Sequence, residues 1–131
     1  MPKYLVQASY LSEGVKGLLK EGGSGRRAAV DELFNSLGGS VETFYFAFGD
    51  EDLFIIGDLP DNAAAAALTM RVNAAGITKV RTAVLLTVQE MDAAVKKTSV
   101  YRPPGYELEV EVTKWEGEGG HLSQGAPPPG K

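Results

Sequence analysis

Residues 40–59 read SVETFYFAFGDEDLFIIGDL, and this stretch decides the fold. Residues 40–48 are dense in aromatic and β-branched side chains, which fit a pleated, half-buried surface and predict a strand. Gly49-Asp50-Glu51 supplies turn residues, and residues 52–59 form a second apolar run. So short a connection between two strands makes an antiparallel hairpin. Phe44, Phe46 and Phe48 alternate with Val41, Thr43, Tyr45 and Ala47, and Leu53 and Ile55 alternate with Phe54 and Ile56. Strands apolar on both sides belong to a sheet covered on both faces.

Before the hairpin, residues 3–10 alternate apolar and polar and predict a strand. Val15, Leu18 and Leu19 have helical spacing in residues 12–20, with Ser12 in position to cap the N-terminus. The run Glu21-Gly22-Gly23-Ser24-Gly25 weakens that helix, and residues 26–37 resume it with Val30, Leu33, Phe34 and Leu37 on one face. Gly38-Gly39 stops it. Two helical pieces in succession predict one kinked connection, with Gly22 to Arg27 as a flexible joint. This segment follows a helix and lacks the spacing of a phosphate-binding loop.

After the hairpin, Pro60-Asp61 opens a helix over 62–75 with a five-alanine run, and Gly76 ends it. Residues 77–86 predict a fourth strand. Thr87-Val88-Gln89-Glu90 matches a capping box and starts a last helix reaching about residue 97. Tyr101-Arg102-Pro103-Pro104-Gly105 is irregular. Residues 106–115 then alternate strictly, with Tyr106, Leu108, Val110 and Val112 opposite Glu107, Glu109 and Glu111, as a strand with an acidic outer side does. Such a strand needs a sheet edge, and pairing that strengthens an oligomer is the expected use. From residue 116 the Gly- and Pro-rich composition predicts a flexible tail. The expected organisation is a domain over 1–105 and an extension over 106–131.

Composition narrows function. The 131 residues make one ordinary domain, and 44% hydrophobic against 23% charged residues is globular. There is no cysteine, which removes disulfides, thiolate nucleophiles and zinc–thiolate sites. The single histidine, His121, lies in the tail, where a Ser–His–acid triad would need the tail to fold back. No metal site and no cofactor are expected. Thirteen Lys+Arg against seventeen Asp+Glu leave a net charge of −4, unfavourable for nucleic acid. The aromatic run 44–48 resembles the stacking strands of RNA-recognition domains, but Glu42 and the acidic turn stand where basic residues are needed. The N-terminal residues show no secretory signal and no stretch could span a bilayer, so a cytoplasmic protein without membrane contact is expected.

A βαββαβ order with right-handed crossovers gives a ferredoxin-like α+β sandwich, four strands with both helices on one face. The other face carries apolar residues too. A second copy of the same sheet is the simplest cover, so the expected partner is the protein itself, as a homodimer or higher homo-oligomer.

Here the sequence resembles a known family. The stretch from Pro2 to Leu68, beginning PKYLVQASYLSEGVKGLLKEGG and running through FAFGDEDLFIIGDLPDNAAAAAL, together with the later YRPPG, is similar to the GYD-domain proteins of bacteria and archaea. The resemblance covers Pro2 to about Gly105 and implies a dimeric α+β barrel, extended here by the C-terminal helix and strand. The family's signature turn carries a glycine and a Tyr-Asp pair. Gly49 and Asp52 fit it, while Glu51 stands at the tyrosine position, so no role of that tyrosine carries over.

Candidate chemistry reads two ways at each place. Asp50, Glu51 and Asp52 could supply carboxylates for acid–base work, but turns select these residues anyway, with Asp50 and Glu51 exposed and Asp52 capping the turn. Asp58 shares a face with Phe54 and Ile56, where a carboxylate is paired or exposed, and Lys79 and Arg81 are the expected partners. Gln7, Ser9, Phe44, Phe46, Phe54, Asp58 and Arg81 could together line a small, partly apolar ligand cavity between the sheet and its dimer mate. The plainer reading makes them the dimer interface, with Asp58–Arg81 as a structural ion pair. Tyr4, Tyr10 and Tyr45 read as packing residues with hydrated hydroxyls. Two functions follow: an oligomeric small-ligand-binding protein, or a cofactor-free oxygenase, isomerase or lyase acting on a small apolar acid or ketone. The fold does not choose between them.

Overall fold

The computed structural model describes residues 1–105. The expected acidic strand at 106–115 and the tail after it lie outside the described residues. In chain order the elements are β1 (Lys3–Tyr10), α1 (Ser12–Ser36), β2 (Ser40–Phe46), β3 (Leu53–Asp58), α2 (Asn62–Ala75), β4 (Thr78–Leu85) and α3 (Val88–Lys96). The chain divides into two compact units, Met1–Gln89 and Glu90–Lys131. The first holds a four-stranded sheet in the order β2-β3-β1-β4, with every neighbouring pair antiparallel. Among the described residues no helix is long and apolar enough to cross a membrane.

The two helical pieces expected before the hairpin form one element. Gly22, at φ 75° and ψ 175°, kinks α1, and helical conformation resumes on its far side. A side chain disfavours that backbone region, which explains a glycine at the bend. Ser12 is not the cap. The capping position is Leu11, which is extended and makes no side-chain cap bond. Only this residue separates β1 from α1, and its N–H donates to the Ile77 carbonyl at 2.9 Å. In α2 the expected signals operate: Asp61 accepts from the Ala64 N–H at 2.9 Å, and Gly76 closes the helix at φ 77°.

The core lies between the sheet and these two helices. Tyr4, Val6 and Ala8 from β1, Leu53 and Ile55 from β3, and Val80 from β4 meet Val30 and Phe34 of α1 and Ala65 and Leu68 of α2. Burying a side chain of this kind contributes about 1.5–3 kcal/mol over leaving it exposed. Strict alternation along β1 and β3 separates the faces: Lys3, Leu5, Gln7 and Ser9, with Phe54, Ile56 and Asp58, turn away from the helices. Gly39 lies hard against the start of this layer, where an added Cβ would overlap the Asp58 carbonyl.

Candidate functional site

Cross-strand partners in a ladder share a face. Gln7 in β1 pairs with Phe54 of β3 on one side and Arg81 of β4 on the other, so these three form one row across the face turned away from α1 and α2. Ser9, two residues on, pairs with Lys79. Thr43 and Tyr45 of β2 pair with Ile56 and Phe54 and stand on the same face.

Phe44 and Phe46 are elsewhere. They pair with Ile55 and Leu53, both core residues, and so face the helices. The ladder shifts register between Val41 and Thr43, leaving Glu42 as an extra residue. Such a bulge reverses the parity of a strand, so the phenylalanines fall on the side opposite Ser40. Their rings meet edge-on at 5.3 Å, and the Arg27 guanidinium lies 5.2 Å from the Phe44 ring centre. The expected seven-residue cavity is therefore split: Gln7, Ser9, Phe54, Asp58 and Arg81 share one face, and the two phenylalanines occupy the other.

The ion pairs also differ from expectation. Asp58 accepts from Lys3 Nζ at 2.9 Å, because β1 lies between β3 and β4 and places Lys3 directly opposite it. Lys3 Nζ also lies 2.8 Å from Glu42 Oε1. Hydrogen bonds to Glu42 and then Asp58 hold the Lys3 ammonium above the ordinary lysine range. Arg81 instead pairs with Glu51 of the hairpin turn. Glu51 is not an exposed turn residue: its side chain is only 12% exposed, and its other oxygen accepts from Ser9 Oγ at 2.9 Å.

The signature turn does structural work. Asp52 does not cap it. Its side chain accepts from the Tyr10 N–H at 2.8 Å, its N–H donates to the Ala8 carbonyl at 2.8 Å, and its carbonyl accepts from the Ala47 N–H at 2.9 Å. It thereby joins the hairpin to the end of β1. Gly49 stands exposed, with open space around its Cα. Of the tyrosines, Tyr45 is 69% exposed, ring as well as hydroxyl, rather than packed as expected, and Tyr4 is buried with its hydroxyl donating to Asn62 Oδ1 at 2.7 Å. The Tyr10 hydroxyl is buried too.

The face turned away from α1 and α2 thus presents an apolar band, Leu5, Phe54, Ile56 and Tyr45, with Lys3 ion-paired to Asp58 and Glu42 at one end and Glu51 held by Arg81 and Ser9 at the other. These charged groups are engaged with one another, while Lys79, opposite Ser9, is exposed and does not reach Asp58, the partner expected for it. A βαββαβ chain with helices on one side of an antiparallel sheet and this banded face on the other defines a small α+β domain. The sequence profile of the GYD domain matches residues 4–95, and the chain belongs to the GYD-domain family. No curated protein matches it.

Proposed function

We propose that this ferredoxin-like domain works as a homodimer, joined through the face of its sheet turned away from α1 and α2 into a dimeric α+β barrel, and that the joined sheets enclose a small, partly apolar ligand beside Gln7, Ser9, Phe54 and Arg81. One observation carries the reading: the banded face. Leu5, Phe54 and Ile56 are half-buried, and Tyr45 is largely exposed, on a face turned away from α1 and α2. Stable interfaces have this anatomy, an apolar centre with a polar rim. Lys3, Asp58, Glu42, Glu51 and Arg81 at the rim already have partners within the subunit, which lowers the cost of removing them from water, while Lys79 stays exposed. Self-association also suits a two-fold, in which each residue of the band meets the same band. The strand expected at 106–115 would extend the contact by pairing at a sheet edge.

Sedimentation velocity across micromolar concentrations tests this. The expected result is a dimer, with Ile56→Glu giving a monomer of unchanged circular dichroism and deletion of residues 106–131 weakening association. A wild-type protein that sediments as a monomer at tens of micromolar overturns the proposal.

A further inference from the structure

A cavity of about 130 Å³ lies on the other side of the sheet, between it and helices α1 and α2. Its walls include Val30, Phe34, Ile55, Leu68 and Val80, which have little or no solvent exposure, so the space penetrates the core. Its origin is visible in β1. Ala8 stands between its partners Leu53 and Val80, putting the smallest side chain of the row at the centre of the sheet. Close-packed interiors rarely keep such a space, and one of about 150 Å³ with apolar walls accommodates benzene.

The lining is not wholly apolar. Tyr10, its cross-strand partner Thr78, and Arg26 of α1 complete it. The Tyr10 hydroxyl and Arg26 Nε are both buried and make no hydrogen bond among the described residues. Glu21 Oε2 is 3.0 Å from that nitrogen but off the line of its N–H. Burying a donor without an aligned acceptor is costly, and these two line the same cavity. Burial raises the Tyr10 hydroxyl above the ordinary tyrosine range, so it remains a protonated donor. Arg26 is ion-paired with Glu21, and Asp52 accepts from the Tyr10 backbone N–H, so the groups around that hydroxyl carry no excess of positive charge for an anion.

We infer that this cavity binds a small neutral carbonyl compound, with an apolar body the size of one ring against Val30, Ile55, Leu68 and Val80 and its oxygen accepting from Tyr10 and Arg26. Two unmet donors fit one oxygen with two lone pairs, and the volume sets the body at about six or seven heavy atoms. The site is on the face opposite the proposed dimer contact, so it stands or falls independently of assembly.

Titration of the full chain with cyclohexanone, followed by the NMR methyl signals of Val30, Ile55, Leu68 and Val80, tests it. Methylenecyclohexane serves as the isostere lacking the acceptor, and cyclopentanecarboxylate as the anion. Saturable cyclohexanone binding is expected, about tenfold tighter than the hydrocarbon and tighter than the acid. Tyr10→Phe should weaken cyclohexanone about tenfold, leave the hydrocarbon unchanged, and keep or raise the melting temperature, since it removes an unpaired group. Ala8→Leu should abolish binding by filling the space. Absence of saturable shifts, tighter binding of the acid, equal affinities for ketone and hydrocarbon, or lower stability in Tyr10→Phe overturns the inference.

Discussion

Glu51 shows how one side chain acquires a role its neighbours in sequence do not announce. It lies in a turn flanked by two aspartates, yet Ser9 and Arg81, distant along the chain, both converge on it and leave it 12% exposed. The pair it makes with a mostly exposed arginine contributes little stability by itself, since solvent screens it. Its value is geometric, tying the hairpin turn to β1 and β4. Gly22 is the converse case, a residue whose role is entirely backbone. At φ 75° and ψ 175° any Cβ is strained, although open space surrounds it. Gly22→Ala should therefore destabilise the protein by about 1–3 kcal/mol through backbone conformation alone. Urea denaturation should show that loss, with Gly17→Ala, also in open space but of helical φ, as the harmless control.

Among the elements, β4 depends on a helix as well as on its neighbour in the sheet. It is an edge strand, and the Asn73 side chain of α2 brackets Val80, donating to its carbonyl at 3.1 Å and accepting from its N–H at 2.7 Å. An edge strand left with unpaired backbone groups invites foreign pairing, and here one amide occupies both. Asn73→Ala should cost about 1–3 kcal/mol, measurable as a lowered urea midpoint, and should speed amide exchange at Val80. Thr69 and Thr82, hydroxyl to hydroxyl at 2.6 Å, secure the same helix to the same strand. Helix α3 buries none of its side chains, and Val88, Met91 and Val95 are exposed along it.

At the scale of the whole first unit, two groups among the described residues are shifted in a way that sets a response to alkali. Hydrogen bonds to Glu42 and Asp58 raise Lys3, and burial raises Tyr10. The folded state therefore holds both protons more tightly than the unfolded chain does. The stability linked to them is fully present below the unfolded values, and it is lost as pH rises through the higher folded ones. Denaturant midpoints should thus show no pH dependence from either group near neutral pH, where the contribution is complete, and a decline above about pH 10. Tyr10→Phe should make that decline shallower, and an identical alkaline profile in the variant would contradict the assignment. The same Tyr10 hydroxyl is unpaired in the cavity, so its loss is expected to be neutral or stabilising at pH 7.

Periodicity and turn chemistry carried the seven elements in their order, the bend near Gly22 and the caps of α2, and the family came from resemblance of the sequence itself. These are local matters: a period of two or of 3.6, an aspartate before a helix and a glycine after it act over a few residues. Which residues meet was decided by tertiary structure. The bulge at Glu42 sends Phe44 and Phe46 to the helices, against the simple alternation of their strand. Insertion of β1 between β3 and β4 gives Asp58 to Lys3 and leaves Arg81 to Glu51. The cavity beside Tyr10 and Arg26 arises where three strands and two helices leave a volume unfilled. Parity, strand order and unfilled volume are properties of the assembled sheet, so a reading along the chain supplies the pieces and their sequence but not their partners.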